Sequence, residues 1–426
     1  MKKKILHIAA HLGAGVGKAT SGLAIGLKDY YHNEILLLEE PENKRYVTLC
    51  EEHDVNVQVV SCVSELKEKI EQADCVIFSW WGHPLSRDVY LALQEVSSRV
   101  IIWTHVNGLY YPFISAEFLD LFDGVLLSTT CTYENDKWTK EQSVEMETAA
   151  EIVYGSGLFY SEKIRAKENY GRREKIVVGY SGTINYNKMS PEFPKICSEI
   201  RKRVPNVLFK FYGVYDEDTY NTFIRYDEEL KDCMCFEGFV QDIDKRLLDV
   251  DVYCYPLNKE NFGSTDNVLV EAMAAGLPIV VYNNPAERSV ITHQETGLVA
   301  DTTELLVQYV VKLCEDVSLA ELLGRNAHQA AKTRFDVEAN AKKCAEYIDR
   351  HLKYKKRKHN FSRVIGESAG ENYLYFVNMT KEEYIEKAKK GELLTILRGE
   401  TKASLKHYLN YYSDEILEEL KNVQGV

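Results

Sequence analysis

The sequence predicts an α/β protein: two Rossmann-like, doubly wound parallel-sheet domains facing across a cleft, plus a C-terminal helical appendage. Three observations predict it. Short apolar runs recur at 5–10, 35–38, 57–60, 76–80, 100–103 and 125–127, and again at 176–180, 208–212, 235–239, 250–255 and 279–282. Helix-like stretches separate them, the alternation that builds parallel βαβ units. A polar, charge-mixed segment without apolar periodicity, KIRAKENYGRREK at 163–175, divides the two series, and 426 residues exceed one ordinary core.

Residues 1–165 hold the first series. The start, MKKKILHIAAHLG, has a charged head, but its apolar run is too short for a signal peptide and leads into glycines, so it reads as the first strand. The loop at 11–18, HLGAGVGK, then opens a helix at 19–28. Glycines at 13, 15 and 17 let backbone approach a ligand closely. The spacing is not the dinucleotide fingerprint GxGxxG, and only Glu39 and Glu40 stand near the end of the second strand. It is not a P-loop either: Leu12 occupies the place of a required glycine, and Ala19 follows Lys18, leaving Thr20 one place late. A tight strand-to-helix turn needs only one glycine. His105 follows the strand VIIWT, and His83 lies in SWWGHP. An isolated histidine is more often structural, but a strand-end position facing a cleft favours His105.

Residues 175–335 hold the second series. GYSGTINYNK at 179–188 follows its first strand. NKENFGSTDNVLVEAMAAGLP at 258–278 passes from an apolar strand through a polar turn at 262–267 into a short helix at 268–275, which ends at Gly276 before Pro278. A turn feeding a helix N-terminus aims unpaired N–H groups and the positive dipole end at one point, which suits a phosphate. Glu271, one turn in, reaches past it toward sugar hydroxyls, so the segment suggests a nucleotide-sugar site. Glu271 is flanked by apolar residues, where an unpaired carboxylate is rarely buried. Asp249 and Asp251 spell DxD but run into an apolar strand, so metal binding is rejected there. Neither HExxH nor GxSxG occurs.

Residues 336–353 read as an amphipathic helix, within a segment 336–358 that ends in Arg350, Lys353, Lys355, Lys356, Arg357 and Lys358. Those charges suit an anionic membrane surface, and a solvated helix end explains them as well. The extension 359–426 has two helix-like patterns, at 381–390 and 404–420. Tyr110, Tyr111, Tyr411 and Tyr412 suit sugar stacking, although packing is the simpler account. The net charge of −13 argues against general nucleic-acid binding. No apolar run approaches the ~20 residues of a membrane span. The 10 cysteines are scattered with no CxxC pair, as expected of reduced, mostly buried thiols in a cytoplasmic protein.

The run FG followed by EAMAAGLPIVVYNNPAE resembles the C-terminal donor-binding motif of retaining GT-B glycosyltransferases, glycosyltransferase family 4 or group 1. ETGLVAD at 295–301 and GRNAHQAAKTRFDVEANAKKCAEYI at 324–348 continue the likeness. It covers roughly the first 350 residues and is strongest from 179 to 347. The resemblance implies metal-independent, cofactor-free hexosyl transfer from a UDP- or GDP-sugar to an acceptor hydroxyl with retention, in cell-surface polysaccharide or glycolipid synthesis. It makes 1–165 the acceptor side and 175–335 the donor side, and returns the final helix to the N-terminal domain. It implies donor binding by Gly15 and Gly17, by Gly182, Thr183 and Lys188, and by Gly263, Ser264, Thr265, Asn267 and Glu271. His105 and either Glu260 or Asp266 fall beside the donor sugar. No catalytic nucleophile is implied. The expected partners are the nucleotide sugar, a glycan or lipid-linked acceptor and the inner face of a membrane, with no nucleic acid.

Two features depart from the family pattern. Thr183 stands where the family has arginine, and a hydroxyl brings no charge, so Arg288 is a candidate replacement. Counting back from Glu271 to the family's other glutamate lands on Gly263, while Glu260 fits only with three extra residues. These departures support an alternative: a catalytically weak GT-B scaffold or partner subunit that binds a nucleotide sugar or glycan. An epimerase or phosphorylase of the same fold is the third alternative.

Overall fold

Strands buried on both faces need apolar residues at successive positions rather than alternate ones. The sequence supplies them, and the computed structural model, which describes residues 2–155, 165–171, 174–393 and 403–425, forms two parallel sheets. The first contains β1 (Lys4–Ala9), β2 (His32–Leu37), β3 (Asn56–Val59), β4 (Cys75–Trp80), β5 (Val100–Thr104), β6 (Gly124–Leu127) and β7 (Glu151–Ile152), in the order β3-β2-β1-β4-β5-β6-β7. The second contains β8 (Ile176–Ser181), β9 (Val207–Tyr212), β10 (Met234–Gly238), β11 (Val252–Tyr255), β12 (Ile279–Tyr282) and β13 (Leu298–Ala300), in the order β10-β9-β8-β11-β12-β13. Each order reverses once, at β1/β4 and at β8/β11. Open parallel sheets bind ligands outside the carboxyl ends of the strands at such reversals.

Two short edge strands, β7 and β13, escape the sequence pattern because two or three residues carry no period. Residues 163–164 and 172–173 of the expected boundary lie outside the described residues. The chain divides into two compact units, a first of Met1–Leu158, Phe262–Ser264 and Val337–Val426, and a second of Phe159–Asn261 and Thr265–Asp336.

The helix Val337–His351 belongs to the first unit and buries Ala341, Cys344, Ala345, Tyr347 and Ile348. It lies so close to the first helix that a Cβ on Gly26 would sit 2.9 Å from the Ala341 Cβ. The Tyr347 hydroxyl accepts from Val125 N–H at 2.9 Å and donates to the Ala149 carbonyl at 2.8 Å, tying the helix to β6 and the segment before β7. The basic run that follows is partly engaged. Arg357 bonds Asp123 at 2.6 Å and Lys356 donates to the Glu71 carbonyl at 2.9 Å, whereas Lys353, Lys355 and Lys358 are exposed.

The C-terminal helical extension is present as expected and packs into the first unit's core. Among the described residues its helices are Ser362–Ile365, Ala369–Val377, Lys381–Lys390, Leu405–Tyr408 and Glu415–Gln424. The expected helix at 404–420 is therefore two helices with a turn between them. Capping boxes start two of the others: Ser368 with Glu371, and Thr380 with Glu383. Tyr111, Tyr373, Tyr384, Leu405, Tyr408, Leu417 and Leu420 make one apolar cluster. Phe361 stacks on Tyr90 with ring centres 4.9 Å apart, and Phe376 meets Trp80 at 5.1 Å and Phe118 at 5.0 Å. Among the described residues, no helix is long and apolar enough to cross a membrane, and all ten cysteines are free thiols.

Phe376 is almost fully buried among these rings. Replacing Phe376 with alanine should cost about 3–5 kcal/mol in a chemical-denaturation curve. A loss below about 1 kcal/mol would show that the extension does not share the first unit's core.

Candidate functional site

The second unit gathers charge at the β8/β11 reversal. Gly182 follows β8 with φ +124, and its N–H donates to the Tyr212 carbonyl at 2.9 Å. Gly213 lies against it so tightly that a Cβ there would fall 1.8 Å from the Gly182 carbonyl oxygen. Both positions therefore exclude side chains. The loop continues to Lys188, whose carbonyl accepts from Asn258 N–H at 2.9 Å. Its ammonium lies 3.1 Å from Asp266 Oδ1, with both side chains about one-fifth exposed. The Tyr255 hydroxyl donates to Asp266 Oδ2 at 3.1 Å. Asp266 immediately precedes the helix Asn267–Ala274 without capping it through its side chain. Asn267 opens that helix, and Glu271 lies half-buried one turn further on the same face.

Beneath this pair is a carboxyl that sequence reasoning missed. Glu287 is 1% exposed, and its Oε1 accepts from Asn284 Nδ2 at 3.2 Å. Its Oε2 has no hydrogen-bond partner among the described residues. Burial first, then the neighbouring Asp266 charge, pushes this carboxyl up to about 7. Its only sequence signal is its place in the NNPAE run, where Pro285 starts a helix and Asn284 precedes it. Tyr253, whose hydroxyl meets Ser181 Oγ at 2.8 Å, and Tyr255 are buried and stay neutral because burial raises both hydroxyls.

The remaining expected residues of the second unit are dispersed. Thr265 is buried beside Asp266, whereas Thr183 and Glu260 are exposed. Arg288 is exposed and donates to the Asn283 carbonyl at 3.3 Å. Asp251 is structural: its carboxylate takes Lys167 Nζ at 2.8 Å and Val177 N–H at 2.9 Å.

The expected turn 262–267 is divided. Gly263 and Ser264, with Phe262, belong to the first unit. There the Gly263 carbonyl accepts from Asn107 Nδ2 at 2.8 Å, and Ser264 Oγ donates to the His105 carbonyl at 3.2 Å. His105 follows β5, as expected. Its ring lies 4.4 Å from the Trp103 ring, and Nε2 is buried with no hydrogen-bond partner among the described residues. Burial holds this imidazole down at about 3, so it is neutral.

The first glycine loop differs from expectation. The helix starts at Ala14, not at 19, so Gly15 and Gly17 lie inside it. A Cβ on Gly17 would meet the Leu12 carbonyl carbon at 2.4 Å, so this glycine serves close packing of the turn, whereas Gly15 is exposed. Gly13 makes room for the His11 ring, whose Nδ1 accepts the Gly13 N–H at 2.8 Å. His11, Glu39 and His83 converge here, after β1, β2 and β4, with ligand-type atoms within 4.8 Å of one another.

Residues 161–332 match the model of the family described as glycosyl transferases group 1. The chain carries a group 1 glycosyltransferase domain. It is 22% identical over 221 residues to an uncharacterized glycosyltransferase of Haemophilus influenzae, a match over 50% of this chain and 59% of that protein. It therefore spans less than two-thirds of that relative. It is 24% identical over 345 residues to the N-acetyl-alpha-D-glucosaminyl L-malate synthase of Bacillus anthracis, covering 77% of this chain and 87% of that one. Among solved structures it resembles Anabaena Alr3699/HepE in complex with UDP, with a TM-score of 0.64 and 16% identity over 82% of this chain and all of that one. That likeness shows the GT-B fold. The group 1 domain contains Gly182, Lys188, Asp266, Glu271 and Glu287, and therefore the whole charged group at the β8/β11 reversal.

A carboxyl raised in the folded state binds its proton more tightly there than in the unfolded chain. Between the ordinary value of 4.5 and about 7, Glu287 therefore lowers stability as pH rises. Glu287→Gln should flatten the melting temperature between pH 5 and 8 and raise it at pH 8. An unchanged profile would place the titrating group elsewhere.

Proposed function

We propose that the chain is a retaining, metal-independent glycosyltransferase that moves a sugar from a nucleotide diphosphate sugar, UDP-linked by preference, to an acceptor hydroxyl. The observation that carries this is the Lys188–Asp266–Tyr255 group at the β8/β11 reversal, within the family domain and beside a helix N-terminus. UDP is preferred because the Anabaena neighbour was solved with it. Polysaccharide or glycolipid synthesis at the cytoplasmic face of a membrane is the setting we assign, with exposed Lys353, Lys355 and Lys358 as the membrane contact.

The chemistry needs positive charge for a departing diphosphate. Lys188 has three N–H donors, and one directed at Asp266 leaves two for phosphate oxygens. The amides at the start of the helix Asn267–Ala274 add uncharged donors. Asp266 opposes an incoming anion, and Glu287 would double that opposition if ionised. Its raised pKa keeps much of it protonated near neutral pH and limits the negative charge around Lys188. Glu271, one helical turn from Asn267, lies where the nucleotide ribose is held in this reading. No metal is needed because lysine and helix amides meet the diphosphate.

The second reading, a scaffold that binds the donor without turnover, is favoured by one observation. Asp266 already compensates the Lys188 charge, and exposed Thr183 adds none.

UDP should raise the melting temperature, with EDTA making no difference, and Lys188→Ala should weaken UDP binding at least tenfold, about 1.4 kcal/mol. Unaltered affinity in Lys188→Ala would remove the site assignment. Proton NMR of the product's anomeric signal tests retention. UDP binding without transfer from any UDP-sugar supports the scaffold instead.

A further inference from the structure

The β1/β4 reversal of the first unit is covered by a segment outside the family domain. His11 follows β1, Glu39 follows β2, and Trp81 and His83 follow β4. From the extension, the His407 ring meets His83 at 4.7 Å and the Tyr411 ring meets it at 5.6 Å, while the Tyr411 hydroxyl donates to Glu39 Oε2. Glu39 Oε1 faces His83 Nε2 at 3.4 Å and His11 Nε2 at 3.8 Å. Burial alone would raise this carboxyl, but the His83 and Tyr411 contacts outweigh it and hold it down at about 2, so it is a fixed anion.

The two imidazoles argue against a metal at this point. Each Nδ1 accepts a backbone N–H, Gly13 to His11 at 2.8 Å and Leu85 to His83 at 3.2 Å. Each Nε2 therefore carries the proton. A metal-binding histidine instead donates from its other nitrogen, and ligation here would require an imidazolate. What remains is an ionised carboxylate, about one-quarter exposed, among the partly exposed rings of Trp81, His407 and Tyr411. A carboxylate has about four acceptor positions, more than the contacts above occupy. Planar rings beside such an acceptor match a sugar, which has an apolar face and a rim of hydroxyl donors.

We propose that the C-terminal extension completes a carbohydrate-acceptor subsite at the β1/β4 reversal, in which Glu39 accepts hydrogen bonds from sugar hydroxyls and Trp81 and Tyr411 take the sugar's apolar face. This rests on the transferase reading. It assigns the extension a role in choosing the acceptor, because Tyr411 holds the carboxylate that would bind it.

The probes are octyl glycosides of glucose, galactose and N-acetylglucosamine, titrated into the full-length chain with saturation-transfer NMR, alongside UDP thermal shift. At least one glycoside should bind, with Glu39→Gln and Tyr411→Phe each weakening it about tenfold. UDP shifts should stay as in the unaltered chain. Tyr411→Phe keeps the ring and removes only the hydroxyl, so it remains informative if Glu39→Gln folds poorly. Glycoside binding that is absent, or unchanged in both variants, overturns the subsite. A UDP shift that is absent while glycoside binding follows the expected pattern overturns the transferase reading and leaves the subsite standing.

Discussion

Parallel pairing is the constraint on which the rest of this protein depends. Every paired strand in both sheets runs parallel to its neighbour, so each connection must cross over a face, and helices cover both faces. The interior is then closed to ligands, and chemistry is displaced to the carboxyl ends of the strands. Where the strand order reverses, the two neighbouring connections leave on opposite faces and a crevice opens. Both clusters of polar side chains described above lie at these reversals, Lys188 with Asp266 after β8 and β11, and Glu39 with His11 and His83 after β1, β2 and β4.

The two clusters solve opposite electrostatic problems. In the proposed donor site at β8/β11 the charge to be received is negative, yet the resident groups are one lysine and two carboxyls. Burial of Glu287 beside Asp266 raises its carboxyl to about 7, so near neutral pH part of it is protonated and the negative charge around Lys188 is reduced. At β1/β4 the carboxylate is itself the fixed charge. The Tyr411 hydroxyl and the His83 imidazole act on it, with His11 close by, so Glu39 stays ionised although burial by itself would raise it. Burial raises the Glu287 carboxyl and the Asp266 charge adds to it, whereas at Glu39 the neighbouring His83 and Tyr411 contacts win against burial.

The extension changes what counts as the first unit. Phe361 and Phe376 enter the same apolar cluster as Trp80, Tyr90, Phe118 and Phe122, and Arg357 and His359 bond the segment around Asp123. A segment that shares a core with the strands can place side chains at their ends with the precision of the strands themselves. Tyr411 and His407 are positioned in this way.

The sequence alone determined the fold class. Apolar runs at strand length, separated by helical stretches, allow little besides parallel βαβ units, the 258–278 motif carried the family resemblance with Asp266 and Glu271 as candidates, and the 179–188 loop supplied Lys188. The helix at 381–390 was legible because its pattern is local. Tertiary structure decided what local pattern cannot contain. Gly17 looked like a ligand-facing glycine, but its neighbour is the Leu12 backbone, and only folding brings that into contact. Glu287 ends the NNPAE run, yet nothing local shows that it is buried beside Asp266, and Glu39 meets Tyr411 across 372 positions of the chain. Strand and helix periods are set by backbone geometry within a few residues. A pKa, an ion pair or a sugar-facing ring depends on which distant groups share its desolvated surroundings.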